Sequence, residues 1–159
     1  MLNYQEQIAL LMRLAAAMVL GALIGLDREA AEKPAGLRTH MLVSGAAALL
    51  VLLGAQMVGK LTADLGTSVI NADPIRIIAA IITGVSFLGA GTIIRQSSTG
   101  GVEGLTTAAS LLFASVIGIS VSLSQWVVAV GATLFVLAVL RILPIIERGI
   151  THKRPDSRH

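Results

Sequence analysis

Few residues of this chain have side chains that could carry out catalysis. Its 159 residues include no cysteine and three histidines, His40, His152 and His159. Nucleophilic catalysis needs a serine, threonine or cysteine beside a base, and two of these histidines stand at the very end of the chain. The segment from Gly89 to Gly91 does not open a dinucleotide-binding loop, because Ile94 stands where that fingerprint needs its last glycine. The sequence therefore predicts no enzymatic activity and no cofactor.

Charged residues that interrupt apolar runs are the next candidates. Arg13 stands inside one such run, and Asp73 and Arg76 stand at the start of another. A guanidinium is costly in apolar surroundings, so Arg13 either pairs with Asp73, with Arg76 beside it, or snorkels to the lipid headgroups. Asp73 precedes Pro74 and is also a candidate helix N-cap, a role compatible with pairing. We predict an intramembrane polar cluster of Arg13, Asp73 and Arg76.

A second group of polar residues lies mostly between apolar runs and predicts a cluster on the cytoplasmic side. We expect the arginines of this cluster to form ion pairs with its acidic residues and with Glu32. The balanced charges of the first loop also suit an alternative, a salt-bridged turn that only fixes the first two helices. Magnesium needs one or two carboxylates and several waters, so a metal site is neither predicted nor excluded. The predicted cytoplasmic cluster comprises Asp27, Arg28, Glu29, Lys33, Arg38, Thr39, Arg95 and Thr106.

Five apolar runs must position these residues. The chain is 55% hydrophobic and 13% charged, with a mean hydropathy of +0.83, whereas soluble domains have about 25% charged residues. Each run is close to the roughly 20 residues that a helix needs to cross a bilayer. We therefore predict an all-α polytopic membrane protein, with one transmembrane domain over 1–146, a basic tail over 147–159 and an interfacial segment near 61–70. The predicted spans are 7–26, 39–59, 74–94, 105–123 and 125–146.

Lysine and arginine predict how the bundle is oriented. The first and third loops and the C-terminal tail hold most of them, and short loops rich in positive charge stay cytoplasmic. The N-terminus is therefore expected outside and the C-terminus inside. Residues 1–7 carry no positive charge, so the first span is expected to be retained and not cleaved as a signal peptide. With five aromatic residues and dispersed positive charge, the chain is not expected to bind nucleic acid.

Glycines within the runs predict close helix packing. Gly21 and Gly25 are four residues apart, a spacing that lets another helix backbone approach in lipid. Similar small residues recur in the third and fourth runs. The predicted packing glycines are Gly21, Gly25, Gly84, Gly89, Gly91 and Gly118.

Five ordered segments resemble the MgtC/SapB family of bacterial membrane proteins. Three features depart from the usual pattern: Asp27 replaces Glu, Ser86 replaces Gly, and Leu112 and Phe113 stand where a Trp commonly follows the fifth segment. The matching segments are Gly-Ala-Leu-Ile-Gly-Leu-Asp-Arg-Glu from Gly21, Lys-Pro-Ala-Gly-Leu-Arg-Thr-His from Lys33, Asp-Pro-Ile-Arg-Ile from Asp73, Phe-Leu-Gly-Ala-Gly-Thr-Ile-Ile from Phe87 and Gly-Leu-Thr-Thr-Ala-Ala from Gly104.

The resemblance implies a multi-pass protein of the bacterial inner membrane, linked to survival at low magnesium and, in pathogens, inside host cells. Family members are associated with restraint of the ATP synthase, and their direct transport of Mg²⁺ is doubtful. Some members carry a soluble domain after the membrane part, and we expect this sequence to correspond to the membrane part alone. We hypothesise action by binding to a membrane-protein partner or to itself as a homo-oligomer. The alternative is an ion transporter or channel whose route is lined by Arg13, Asp73 and Arg76.

Overall fold

The described parts of the chain form a bundle of five helices. The computed structural model describes residues 3–65, 73–96 and 103–151, and in these ranges all five helices are long and apolar enough to span a membrane. The predicted all-α bundle is confirmed, and the chain is a multi-pass membrane protein; its orientation stays a prediction. The predicted interfacial segment is helical as far as residue 65, and its remainder lies outside the described residues. The helices are α1 Tyr4–Ala30, α2 Leu37–Leu65, α3 Pro74–Gln96, α4 Leu105–Ser122 and α5 Trp126–Thr151.

The start of α1 is set by a capping box, which places it ahead of the predicted span. The Asn3 side chain accepts the Glu6 backbone N–H at 2.9 Å, and the Glu6 carboxylate accepts the Asn3 N–H at 3.1 Å. These bonds satisfy two backbone donors that have no partner inside the helix. Local polar chemistry therefore extends the helix beyond its apolar run.

Two tight connections make sequential helices antiparallel neighbours. After α1, Glu32 has a φ of 55° and the Lys33 N–H bonds to the Arg28 carbonyl at 2.9 Å. After α4, Ser124 has a φ of 60° and the Gln125 N–H bonds to the Ser120 carbonyl at 2.9 Å. Both are Schellman-type helix ends, formed here without the glycine that usually supplies the left-handed residue. The chain turns back immediately at each, which forces α1 against α2 and α4 against α5.

The fourth helix occupies the centre of the bundle. It contacts each of the other four helices, and 61% of its span is buried, compared with 17 to 33% in the other spans. At 18 residues it is about 27 Å long, close to the thickness of the hydrocarbon core. Its sequence carries no charge and many small residues, which suits a helix that has protein on most sides.

Glycines bring α2 into backbone contact with α1 and α4. A Cβ on Gly21 would lie 2.6 Å from the His40 carbonyl oxygen, and one on Gly25 would lie 2.7 Å from the Leu37 Cα. A Cβ on Gly118 would overlap the carbonyl of Ser44. Such distances are shorter than real side-chain contacts, so only glycine permits this approach. The predicted packing role of these three glycines agrees with the structure.

The glycines of α3 divide into two kinds. A Cβ on Gly89 would meet Ala108 of α4 at 3.1 Å, a tight contact. A Cβ on Gly84 or Gly91 would meet nothing within 4 Å. Within one chain, neither Gly84 nor Gly91 lies at a close helix contact, so the predicted packing role does not hold at these two positions.

Replacement of Gly118 by alanine is expected to destabilise the bundle. The new methyl group would force the α2 and α4 backbones apart, at a cost of about 1 to 3 kcal/mol. The measurement is the thermal unfolding midpoint in detergent, followed by loss of the monodisperse size-exclusion peak. Gly91→Ala is the control, because its methyl group enters open space and alanine favours helix over glycine. Equal midpoints for the two variants would contradict the proposed backbone contact.

Candidate functional site

Three charged residues join α1 to α5, and we call them the α1–α5 charge cluster: Asp27, Arg28 and Arg141. The Asp27 carboxylate accepts from Arg28 Nη2 at 2.9 Å and from Arg141 Nε at 2.8 Å. The side chains of Asp27 and Arg28 are 10% and 7% exposed, whereas that of Arg141 is 72% exposed. The carboxylate therefore uses one oxygen for a buried base and the other for a base at the surface.

The prediction identified the pair but missed the second base. Arg28 meets Asp27 as expected, whereas Arg141 is not among the residues of the predicted cytoplasmic cluster. The signal that could have found it is the cost of a charge in an apolar span, which makes an acidic partner the expectation. Sequence could not choose that partner, because the two residues are 114 positions apart.

The buried arginine of this cluster is only partly satisfied. Its Nε is buried and has no hydrogen-bond partner among the described residues. Buried donors of this kind are uncommon, and each unmade bond costs free energy. Arg28 consequently depends on Asp27 for compensation of its charge.

Glu29 is not part of this cluster; its side chain instead caps the N-terminus of α2. Its Oε2 accepts the backbone N–H of Leu37 at 2.8 Å, one of the donors that the first turn of a helix leaves unpaired. Gly36 makes room for it, since a Cβ there would lie 2.8 Å from the same oxygen. The carboxylate of α1 therefore caps α2 across the connecting loop.

His40 forms a buried polar contact between α2 and α4. It has no exposed surface; Nδ1 lies 2.9 Å from the Gly36 carbonyl, and Nε2 lies 3.0 Å from the Ser110 hydroxyl. A carbonyl only accepts, so in the neutral imidazole Nδ1 donates and Nε2 is left as an acceptor facing the Ser110 hydroxyl. The Ser110 hydroxyl also lies 2.8 Å from the Thr107 carbonyl, and its single proton can serve only one acceptor. His40 is absent from the predicted sites, because nothing in the neighbouring sequence predicts its partner on α4.

The remaining residues of the predicted cytoplasmic cluster lie at or near the surface, except Arg95, whose side chain is not among those described. Lys33, Arg38 and Thr106 are exposed and Thr39 is half-buried. Within the described side chains, the ion pairs are those of Asp27, so Arg38 and Glu32 do not meet as predicted. The backbone of Arg95 belongs to α3, but its side chain lies outside the described residues.

At the other end of α1, Arg13 has a partner that the sequence did not predict. Its Nη1 donates to the Ser122 carbonyl at 3.3 Å, at the last residue of α4. The final carbonyls of a helix have no partner within it, and a cation there also complements the helix dipole. The Asp73 carboxylate accepts the Ile75 N–H at 2.9 Å instead, which confirms its capping role. In the described structure the expected Arg13 to Asp73 ion pair is therefore replaced by two helix caps.

The Arg76 side chain forms no described hydrogen bond or ion pair with Arg13 or Asp73, although its backbone N–H bonds to the Asp73 carbonyl at 3.1 Å. It is exposed and lines an apolar cavity of about 640 Å³ between α2 and α3, which we call the α2–α3 groove. The three residues of the predicted intramembrane cluster thus have three different surroundings. In the described part of the chain, no three His, Asp or Glu residues are placed to hold a metal ion.

Comparison with known proteins agrees with this fold. A sequence model of the MgtC family matches residues 14–149, from α1 to the end of α5. The chain belongs to the MgtC family. No solved structure matches the chain significantly.

Three relatives in the MgtC family illustrate the similarity. An uncharacterized protein of Haemophilus influenzae is 34% identical over 142 residues, which is 89% of this chain and 58% of that protein. Protein MgtC of Salmonella typhimurium is 40% identical over 127 residues, 80% of this chain and 49% of MgtC. Protein SapB of Bacillus subtilis is 33% identical over 149 residues, 94% of this chain and 62% of SapB. The chain spans about half to three-fifths of the length of these relatives.

Loss of Asp27 is expected to destabilise this MgtC-family bundle far more than loss of Arg141. Asp27→Ala leaves Arg28 buried without its counter-charge, at a cost of about 3 kcal/mol. Arg141→Ala removes an exposed partner and should cost less than about 1 kcal/mol. Thermal midpoints in one detergent compare the two variants. An Arg141→Ala midpoint as low as that of Asp27→Ala would refute this ranking.

Arg13 and Asp73 are expected to act independently. Arg13→Ala should cost about 1 kcal/mol through the lost α4 cap, and Asp73→Ala a similar amount through the lost α3 cap. The double variant should then equal the sum of the single effects. Free energies of unfolding from denaturant titration in mixed micelles test this. A coupling free energy above about 0.5 kcal/mol would indicate that Arg13 and Asp73 interact directly after all.

Proposed function

We propose that this chain is a non-enzymatic protein of the bacterial inner membrane that acts by binding in adaptation to low magnesium. Its partner is another membrane protein or a second copy of the chain. Membership of the MgtC family and the similarity to Protein MgtC and Protein SapB support the link to magnesium. The contacts made by its polar residues support binding over transport.

This proposal rests on the hydrogen bonds that the polar side chains of the helices make with groups of the bundle itself. Hydroxyl groups bond to backbone carbonyls, as Ser44 does to Ala17 of α1 at 2.8 Å and Thr133 does within α5 at 2.8 Å. Arg13 and Glu29 cap neighbouring helices, and Asp27 holds two bases. These groups stabilise the bundle, whereas a transport route needs polar groups that face a shared aqueous path.

The transport alternative receives no support from its predicted lining residues. Arg13 and Asp73 are each engaged at a different helix end, and Arg76 lines a groove whose other described walls are apolar. A binding role instead needs exposed groups beside a rigid scaffold. Lys33, Arg38 and Thr106 satisfy this, because they are exposed at the end of the bundle where Glu29 and the α1–α5 charge cluster fix the helices.

Arg38→Ala is expected to abolish growth support at low Mg²⁺ while leaving the amount of protein in the membrane unchanged. The reason is that Arg38 is exposed in the first turn of α2 and holds no described ion pair, so its loss affects binding and not folding. Growth of a host strain deleted for its own family member measures the effect. Lys60→Ala is the matched control, because Lys60 is an exposed cation near the opposite end of the same helix.

Two results would contradict the proposal. The first is normal growth with Arg38→Ala at wild-type abundance, which would leave the exposed end without a role. The second is Mg²⁺ flux into liposomes that contain the purified chain, above the flux into protein-free liposomes. A pull-down of membrane partners from cells grown at low Mg²⁺ then identifies the bound protein.

A further inference from the structure

The α2–α3 groove is a surface feature that the proposed function does not use. Helices α2 and α3 touch at one end, where a Cβ on Gly54 would meet the Ile77 side chain. Beyond that contact, small residues on both helices leave a cavity of about 640 Å³, within the usual range for small-molecule sites. Its walls include Ala46, Ala47, Ala80 and Gly84, with larger side chains at its rim, namely Leu42, Leu50 and Leu88.

This groove faces the surroundings of the bundle and not its interior. Leu42, Leu50 and Leu88 are each at least half exposed, and Gly84 has open space where its side chain would be. In a bilayer, hydrocarbon surrounds this surface, and an empty space along it would forfeit the dispersion contacts of its walls. An apolar occupant is therefore favoured.

The length of the groove matches one lipid chain. On α3 the lining runs from Arg76 to Leu88, twelve helical steps of 1.5 Å, or about 18 Å. One leaflet is half of the roughly 30 Å hydrocarbon core, about 15 Å. A transmembrane helix of a second copy would need a contact surface along the whole core, whereas a fatty acyl chain occupies a single leaflet.

The charge at one end of the groove selects the headgroup. Of the described lining residues, Arg76 alone is charged, and it lies in the first turn of α3, at one end of that span. Its nearest acidic neighbour in sequence, Asp73, uses its carboxylate to cap the same helix and forms no described ion pair with it. A free guanidinium at the membrane interface pairs favourably with a phosphate, which it can bind through two hydrogen bonds.

We propose that the α2–α3 groove binds one anionic phospholipid, with an acyl chain along Ala80 and Gly84 and the headgroup phosphate at Arg76. The lipid would complete the surface between α2 and α3, the least closely packed pair of neighbouring helices. It would also make the stability of the α2–α3 pair depend on the anionic lipid content of the membrane. This role is independent of the binding function proposed above.

Native mass spectrometry of the full chain in a mild detergent tests the proposal. The protein is titrated with phosphatidylglycerol or phosphatidylcholine that carry the same acyl chains. The wild type is expected to bind one phosphatidylglycerol about tenfold more tightly than phosphatidylcholine, the value of one charge-assisted contact. Phosphatidylcholine carries the same phosphate together with a choline cation that offsets its charge. Arg76→Gln should therefore weaken phosphatidylglycerol binding more than phosphatidylcholine binding and remove this preference.

Two groove-filling variants test the acyl chain. Gly84→Leu and Ala80→Leu place bulk in the groove and should weaken binding of both lipids by about tenfold or more. Gly91→Leu is the matched control, because Gly91 is an equally open glycine of α3 outside the groove lining, and it should bind like the wild type. Monodisperse size-exclusion peaks establish that each variant is folded.

Three outcomes would overturn the proposal. One is unchanged phosphatidylglycerol binding by the folded groove-filling variants, and another is a preference for phosphatidylglycerol that survives Arg76→Gln. The third is a wild-type dimer that Gly84→Leu converts to monomer without any change in bound lipid, because a second copy would then occupy the groove. If neither groove-filling variant folds, the Arg76→Gln titration decides on its own.

Discussion

Backbone contact of α2 with both α1 and α4 is the constraint on which the rest of this bundle depends. In lipid, no hydrophobic force draws apolar helices together, so packing and polar contacts must hold them. Gly21, Gly25 and Gly118 allow the α2 backbone to lie where any side chain would collide with it. The two short connections after α1 and α4 then position α5 beside this three-helix core, and α3 packs against α4 from another side.

The polar contacts in the interior follow from that close approach. His40 and Ser44, one helical turn apart on α2, are the residues whose backbones meet Gly21 and Gly118. Their side chains reach Ser110 of α4 and the Ala17 carbonyl of α1 at 3.0 and 2.8 Å. A wider separation of the helices would leave these buried groups without partners, which is costly where water is excluded. Close packing and polar satisfaction therefore depend on the same turns of α2.

Several charged side chains have a different task, because they bond to backbone groups at the ends of helices. Arg13 bonds to the last carbonyl of α4, Glu29 to the first turn of α2, and Asp73 to the first turn of α3. Helix ends are where unpaired backbone groups accumulate, so a charge there is compensated without an ion pair. The α1–α5 charge cluster adds the one described link between oppositely charged residues of distant segments. Exposed cations such as Arg38 and Arg76 form no described ion pair and cap no described helix end. The binding proposals rest on them for this reason.

The sequence alone predicts the number of helices and their membrane character, because length and hydropathy are local properties measured against a bilayer of fixed thickness. It also located Gly21 and Gly25 as packing residues and Asp27 with Arg28 as a charged helix end. Three other outcomes come from the contacts between helices: Arg141 pairs with Asp27, a carbonyl replaces Asp73 as the partner of Arg13, and Gly118 is packed while Gly84 and Gly91 are open. These outcomes depend on the rotation of each helix about its axis and on its register against distant segments. A pattern of small or charged residues along one helix does not encode either quantity, because both are set by the contacts of all five helices together.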